Sequence, residues 1–398
     1  AMGMGLAVSI QVSQARGAQK PAVARSAMRH GLYLSVGIAI LTVLLSIACI
    51  PLLSYLRQPE EVVAMAPNYF IIIALSFIPA MAGMVMKNHA DAMNRPWPPL
   101  FILLGGVLLN VFFNWLFIYG NWGMPAWGLE GAGFATVLSR VLTVIGLLIW
   151  CRQDKRLREW APQRWITRPD WQELRKLWSL GWPTSIQILS QISAFVTASL
   201  FIGSIGADAM ASHQIAITCT ATIFMVPVGL SSAITVCIGE AFGARSYERM
   251  RAILAGGWVM GGLFTCVSSV CFMVFNRQIA GQFIDNGETL LLAASLLQIA
   301  ALFQFSDAMQ VISVGALRGM GEVRLPAWLA FGASWFISIP CGWLLAFEAD
   351  MGVRGIWWGF TASLTTQAIT LGWLAWHKTK ADRFPSDPIW EKVTEATG

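Results

Sequence analysis

Ala92-Met93-Asn94-Arg95-Pro96-Trp97-Pro98-Pro99 returns as Gly319-Met320-Gly321-Glu322-Val323-Arg324-Leu325-Pro326 (offset 227). Three more landmarks follow in the same order. Gly17-Ala18 recurs as Gly243-Ala244 (offset 226), Asn114-Trp115-Leu116 as Gly342-Trp343-Leu344 (228), and Gly128 as Gly355 (227). Each match is slight alone, but four at nearly one spacing mark a tandem repeat. The second copy runs from Trp171 to Gly243 before this landmark, whereas the first has only Ala1 to Gly17. The repeat therefore implies about 55 further residues upstream, enough for one membrane helix and half of another. Without them the first copy would have an unfilled face, and these 398 residues are expected to be unstable or inactive alone.

Both copies are built of apolar runs. Mean hydropathy is +0.61 and charged residues are only 12%, which excludes an ordinary soluble domain. Stretches without Asp, Glu, Lys or Arg cover 31–56, 62–86, 96–129, 177–207, 209–239, 252–276, 325–347 and 355–377. Two more, 131–151 and 289–317, hold one charge each, Arg140 and Asp307. A span needs about 20 residues, so these runs give ten complete helices, with the tail of an eleventh at 1–13. The expected fold is an all-α polytopic membrane protein of two six-helix bundles. A pseudo-two-fold axis along the membrane normal relates them, with twelve helices in full and about ten and a half in this chain. The N-terminal lobe is read as 1–151, a cytoplasmic link as 152–176, the C-terminal lobe as 177–378 and a cytoplasmic tail as 379–398. The link is expected to be partly an interfacial helix. Arg168-Pro169-Asp170 caps the helix after it. Prolines 79, 183, 227 and 340 predict kinks, and many of the 19 tryptophans read as interfacial anchors.

The net charge of +6 follows from topology and does not call for nucleic acid. Of 27 Lys and Arg, 23 fall in alternate connections and in the tail. Those connections and the C-terminus are placed in the cytoplasm. The seven cysteines show no CxxC spacing and read as packing residues. No Walker, HExxH or GxSxG motif occurs, so ATP-driven pumping, metalloproteolysis and serine hydrolysis are set aside. Secondary transport is left, with no cofactor, and the chain is not read as an enzyme.

An ionised side chain at a bilayer centre costs about 2.5–3.5 kcal/mol and needs a reason. Asp307 lies eleven residues before Arg318, roughly 16 Å along the helix. Gln304 and Gln310 flank it at three residues, and Phe303 at four. A carboxylate there can bind a proton or a metal cation, or face an organic cation; the alternative is a permanent structural pair. Arg140 is either a counter-ion or a packing arginine. Asn110 and Asn114, at i and i+4, present two amides to a ligand or to a neighbouring helix. Glu130, Glu240 and Asp91 lie near span ends, and His213 reads as a packing hydrogen bonder.

Several segments together resemble the multidrug and toxic compound extrusion (MATE) family, in its NorM-like branch. They are Gln14-Ala15-Arg16-Gly17-Ala18, Asn114-Trp115-Leu116-Phe117-Ile118-Tyr119-Gly120, Gly128-Leu129-Glu130-Gly131-Ala132-Gly133 with Ser139-Arg140, Leu180-Gly181-Trp182-Pro183, Ser212-His213-Gln214-Ile215-Ala216, and Gln304-Phe305-Ser306-Asp307 running on to Arg318-Gly319. The likeness covers essentially the whole chain. It implies a monomeric antiporter of a bacterial inner membrane that exports cationic amphipathic drugs in exchange for H⁺ or Na⁺, by rocking of two lobes. Asp307 matches the family's acid in the C-terminal lobe. Two positions depart from the pattern: Gln191 stands where the family has Glu, and Phe303 where it usually has Tyr. Two oxygen ligands of a Na⁺ site are thus altered, which favours H⁺. Asn110 and Asn114 match amides lining the N-terminal lobe, where Arg140 also lies. One rival reading is a flippase for a lipid-linked precursor, which would line its cavity with several cations. Another is a receptor or scaffold that does not transport.

Overall fold

A segment in hydrocarbon must satisfy its backbone N–H and C=O groups internally, so apolar runs of this length become helices. The computed structural model describes residues 2–51 and 60–380, and among them all regular structure is helical. The helices are α1 (Met2–Gly17), α2 (Pro21–Ala48), α3 (Glu60–Leu75), α4 (Phe77–Ala92), α5 (Trp97–Tyr119), α6 (Gly128–Gln153), α7 (Trp171–Ile205), α8 (Ala207–Gly243), α9 (Tyr247–Val274), α10 (Asn276–Gly281) and α11 (Gly287–Gly319). Then come α12 (Arg324–Gly332), a π-helical turn (Ala333–Ser338), α13 (Ile339–Trp343), a second π turn (Leu344–Glu348) and α14 (Val353–Lys378). The expected tail 379–398 lies largely outside the described residues.

Nine segments among the described residues are long and apolar enough to cross a membrane. The tenth expected span, α14, is also long enough, about 39 Å. It is not among the nine because Thr361, Ser363, Thr365, Thr366, Gln367 and Thr370 interrupt its apolar face. Pro183 and Pro227 lie inside α7 and α8. Pro79 follows the Ser76 break between α3 and α4, and Pro340 begins α13 after the first π turn.

Contacts divide the chain into two units between Trp182 and Pro183, six residues beyond the expected boundary at 177. The first turns of α7 belong with unit 1: a Cβ on Gly181 would lie 2.2 Å from Met4 Sδ. The expected link 152–176 also belongs with unit 1, and it is helical only at its ends, where α6 closes and residues 171–176 open α7. It forms turns at 155–160 and has no helix from 161 to 170. Side chains of α2 hold it instead. Tyr33 Oη donates to the carbonyls of Trp165 (3.0 Å) and Thr167 (3.1 Å) and accepts from Thr167 N at 2.8 Å. His30 Nε2 accepts from Asp170 N at 3.0 Å. Asp170 Oδ1 accepts from Gln172 N at 2.8 Å, the expected cap on α7.

The repeat is visible in the packing. A Cβ on Gly31 (α2) would meet Val8 at 2.2 Å and Val85 at 3.6 Å; one on Gly257 (α9) would meet Ile234 at 2.4 Å and Ile312 at 3.5 Å. The turns match as well. Gln19 and Arg245 both have positive φ (57° and 54°). Lys20 N bonds Ala15 O as Ser246 N bonds Ala241 O, both at 2.9 Å. Asn94 and Gly321 repeat the device (57° and 81°), with Arg95 N on Ala90 O and Glu322 N on Leu317 O.

Two departures from one constant offset have physical causes. The stretch from Pro326 to Trp343 is one residue longer than that from Pro99 to Trp115. The first π turn lies within the longer stretch, and widening one turn is how a helix absorbs an added residue. Beyond the next loop the offset shrinks by four, which corrects the expected match of Gly128 with Gly355. The equivalent of Gly128 is Gly352, both with positive φ (51° and 56°). The equivalent of Gly131 is Gly355: a Cβ on either would lie 2.5 Å from backbone, of Phe117 and of Leu345–Ala346 respectively.

Candidate functional site

α11 is the most enclosed span, with 56% of its apolar window buried against at most 33% in the other eight. Its sequence nevertheless places Gln304, Ser306, Asp307, Gln310 and Ser313 within it, so each must find a partner or a use. Gln304 Oε1 accepts from Ser268 Oγ of α9 at 2.9 Å, and its Nε2 is buried with no partner among the described residues. Ser306 and Thr365 of α14 share a hydrogen bond of 2.8 Å. Gln310 Nε2 reaches Gln367 Oε1 of α14 at 3.5 Å. Asp307 is half-buried, and no hydrogen bond or ion pair reaches it among the described residues.

Two contacts bracket Asp307 within unit 2. Toward the end of α11, Arg318 Nη2 donates to Gln187 Oε1 of α7 at 2.9 Å. In the other direction the Phe303 ring packs against Trp357 (5.6 Å between centroids) and Phe360 (6.5 Å), and Phe195 of α7 meets Phe360 at 4.6 Å. Asp307 lies between Phe303 and Arg318 on one helix, and Gln191 between Phe195 and Gln187 on the other. Along their own helices, Asp307 and Gln191 thus each lie between the Arg318–Gln187 hydrogen bond and an aromatic wall of Phe303, Phe195 and Phe360. No hydrogen bond joins them among the described residues. Phe303, only 5% exposed, forms part of that wall and offers no oxygen to a cation. A cavity of about 550 Å³ lined by Asn276, Arg277 and Gln298 lies elsewhere and does not include Asp307. Among the described residues no three His, Cys, Asp or Glu side chains gather as a metal site.

Unit 1 has a different polar centre. Arg140 Nη1 donates to Ser76 Oγ at 2.6 Å, in the break between α3 and α4. Asn110 Nδ2 donates to Ser139 Oγ (3.3 Å) and Thr136 Oγ1 (3.5 Å), and Asn114 Nδ2 to Asn110 Oδ1 (3.1 Å). Asn110 therefore stitches α5 to α6, and Asn114 holds Asn110 from within α5. The repeat equivalents of Arg140, Ser76 and Asp307 are Leu364, Phe303 and Ala80. One unit thus carries the mid-helix cation and the other the mid-helix anion. Sequence reasoning missed Ser76, Gln187, Ser363 and Gln367. Ser363 and Gln367 carried a signal, being spaced i, i+4 inside an uncharged run.

Residues 1–116 and 183–344 match the family model described as MatE. The chain belongs to the MatE family. It is a NorM-like member of this family of transporters, and not an enzyme. A protein of Agrobacterium fabrum described as "Probable multidrug resistance protein NorM" is 31% identical over 93% of this chain and 80% of its own length. Proteins of the same description from Neisseria meningitidis (29%, 94% and 81%) and Mannheimia succiniciproducens (33%, 87% and 77%) are similar. Among solved structures, a MATE protein in a bent conformation superposes with a TM-score of 0.87 at 19% identity, over 95% of this chain and 83% of its own. A eukaryotic MATE transporter gives 0.82 at 18%, over 96% and 86%. At these identities the likeness shows a shared fold, that of a multi-pass, all-α MatE protein.

Proposed function

We propose that this MatE protein is a secondary multidrug efflux transporter of a bacterial inner membrane, exporting cationic amphipathic compounds in exchange for H⁺, with its C-terminus in the cytoplasm. The relatives' descriptions support the drug substrates. The observation that carries the coupling is Asp307, a mid-helix carboxyl that no hydrogen bond or ion pair reaches among the described residues, one turn from the Phe303 ring. Left ionised there it is costly, and either a proton or a cationic ligand removes the cost. The two cannot do so together, so binding one releases the other. Na⁺ is less well served, because a hard cation needs several oxygens. Gln191 brings a neutral amide where a second carboxylate would be needed, and Phe303 brings none. The protein works as a monomer without a cofactor in this reading.

Ethidium efflux from pump-deficient cells expressing the protein tests it, with and without Na⁺, beside Asp307→Asn. Efflux indifferent to Na⁺ and lost in the variant is the expected result. A variant that matches the wild type would remove Asp307 from the mechanism.

A further inference from the structure

The first π turn, Ala333–Ser338, sits where unit 2 carries one residue more than unit 1. The equivalent segment of α5 is plain α-helix, so this fold accepts both forms. The turn is poorly satisfied in its own right. Trp335 Nε1 and Ser338 Oγ are buried with no partner among the described residues. Ala333 O is taken by a side chain, Ser363 Oγ of α14, at 2.8 Å. Ser363 Oγ in turn accepts from Gln367 Nε2 at 3.3 Å. Gln367 Oε1 accepts from Gln310 Nε2 at 3.5 Å, the longest link of the chain. Gln310 lies one turn from Asp307 on α11, within side-chain reach.

We propose that this π turn is the joint through which unit 2 responds to the state of Asp307, with Gln310, Gln367 and Ser363 as positioning residues. The proposal rests on Asp307 being the coupling acid. The Gln310 amide has two acceptors in reach, Gln367 Oε1 and the Asp307 carboxyl. A charge-assisted hydrogen bond is roughly twice as strong as a neutral one. An ionised Asp307 accepts from the unpaired Gln304 Nε2 and, with acceptor sites still open on its second oxygen, draws Gln310 Nε2 away from a 3.5 Å contact. Gln367 then loses its donor and turns, and Ser363 is released from Ala333 O. The turn, already holding unpaired groups, is left free to change register. Neutral Asp307 returns Gln310 to Gln367 and ties the turn down. The uncharged runs of α7, α8, α9 and α14 leave His213 and His377, α11 itself carries Arg318, and α10 brings Arg277 beside Leu290, seventeen residues before Asp307. Arg318 is held three turns away by Gln187, and His213 packs on Trp357.

Amide hydrogen exchange across 333–338, on the whole protein in nanodiscs at one alkaline pH, tests this directly. Asp307→Asn mimics the neutral acid and should slow exchange there at least threefold, by about 0.7 kcal/mol. Ser363→Ala should speed exchange and abolish the difference between Asp307 and Asn. Ser363→Thr, which keeps the hydroxyl, should restore it. If Ser363→Ala does not fold, Gln367→Leu replaces it with the same expectation. Equal exchange in wild type and Asp307→Asn overturns the proposal, as does a difference that survives loss of Ser363. Efflux retained in Asp307→Asn would overturn the transport reading separately, since the exchange experiment needs no substrate.

Discussion

Asn88 and Gly315 occupy the same place in the two repeats, and the helix opposite each has compensated in the reverse sense. Asn88 faces Gly5, where a Cβ would lie 2.6 Å from its Nδ2. Gly315 faces Ser231, the repeat equivalent of Gly5, whose Oγ would lie 2.4 Å from an added Cβ. Small against large is kept while the helix bearing each is exchanged. Gly5→Ser should therefore cost about 1–3 kcal/mol by overpacking. Adding Asn88→Gly should recover most of that loss, with a coupling of at least about 1 kcal/mol in a double-mutant cycle. Thermal unfolding followed by tryptophan fluorescence would measure it; additive losses would refute the pairing.

Arg95 donates to Asp154 Oδ2 at 2.7 Å at the end of α6. The equivalent positions, Glu322 and Lys378, are paired with the signs exchanged. Asp154 keeps a side chain only 7% exposed and Arg95 one 33% exposed, between a surface and a buried pair. Asp154→Lys should cost about 1–2 kcal/mol, and Arg95→Glu with Asp154→Lys should recover most of it. No recovery in the double variant would mean that charge is not what joins these helices.

Asp154 also sets a pH dependence. Burial raises its carboxyl, but the hydrogen bonds from Arg95 and the amides of Arg156 and Leu157 outweigh this and hold it below the ordinary value of 3.8. A depressed carboxyl contributes stability above its unfolded value and loses it as pH falls through the folded one. Wild type and Asp154→Asn should differ at neutral pH and converge in acid, below about pH 4. A gap that persists at low pH would point to shape instead of charge.

Tyr33→Phe removes one hydroxyl serving three backbone groups of the 165–167 strap. Leaving such groups unpaired should cost about 1–3 kcal/mol. Limited proteolysis should cut the link near 155–170 faster in the variant, and an unchanged cutting rate would show that the strap is held by other contacts.

Phe303→Ala should lower thermal stability by about 3 kcal/mol, because its ring fills the wall between Trp357 and Phe360. Phe303→Leu should keep most of that stability. Loss of transport at full stability in Phe303→Ala would instead make the ring part of the ion path.

The apolar runs and the repeat were legible because lipid leaves the backbone few options and duplication preserves close approaches such as Gly31 on Val8. The site was legible in Asp307, since a lone charge in an apolar run is conspicuous. Gln304 and Gln310 were legible as polar, but not in direction: one faces α9 and the other α14. That Gln191 and Asp307 lie on helices tied together by Arg318 and Gln187 is a relation no local pattern could reveal, as α7 and α11 are separated by three other helices along the chain. The link read as partly helical because charged residues suit an interfacial helix. Its true form depends on Tyr33 and His30 of α2, far from it in sequence. The four-residue shortening before Gly352 was hidden by Gly355, which offers a glycine at the expected spacing.

The exchanged signs at Arg95 and Glu322 bear on how the chain is made. A protein with two similar halves risks joining the wrong ones while it is being synthesised. Asp154 emerges from the ribosome with Arg95 already present, and that pair can close before Glu322 exists. When the second half follows, Glu322 would meet Asp154 as like charge, and Lys378 would meet Arg95 the same way. Each half is thereby steered to its own partner, so the duplicated segments share a shape without being interchangeable.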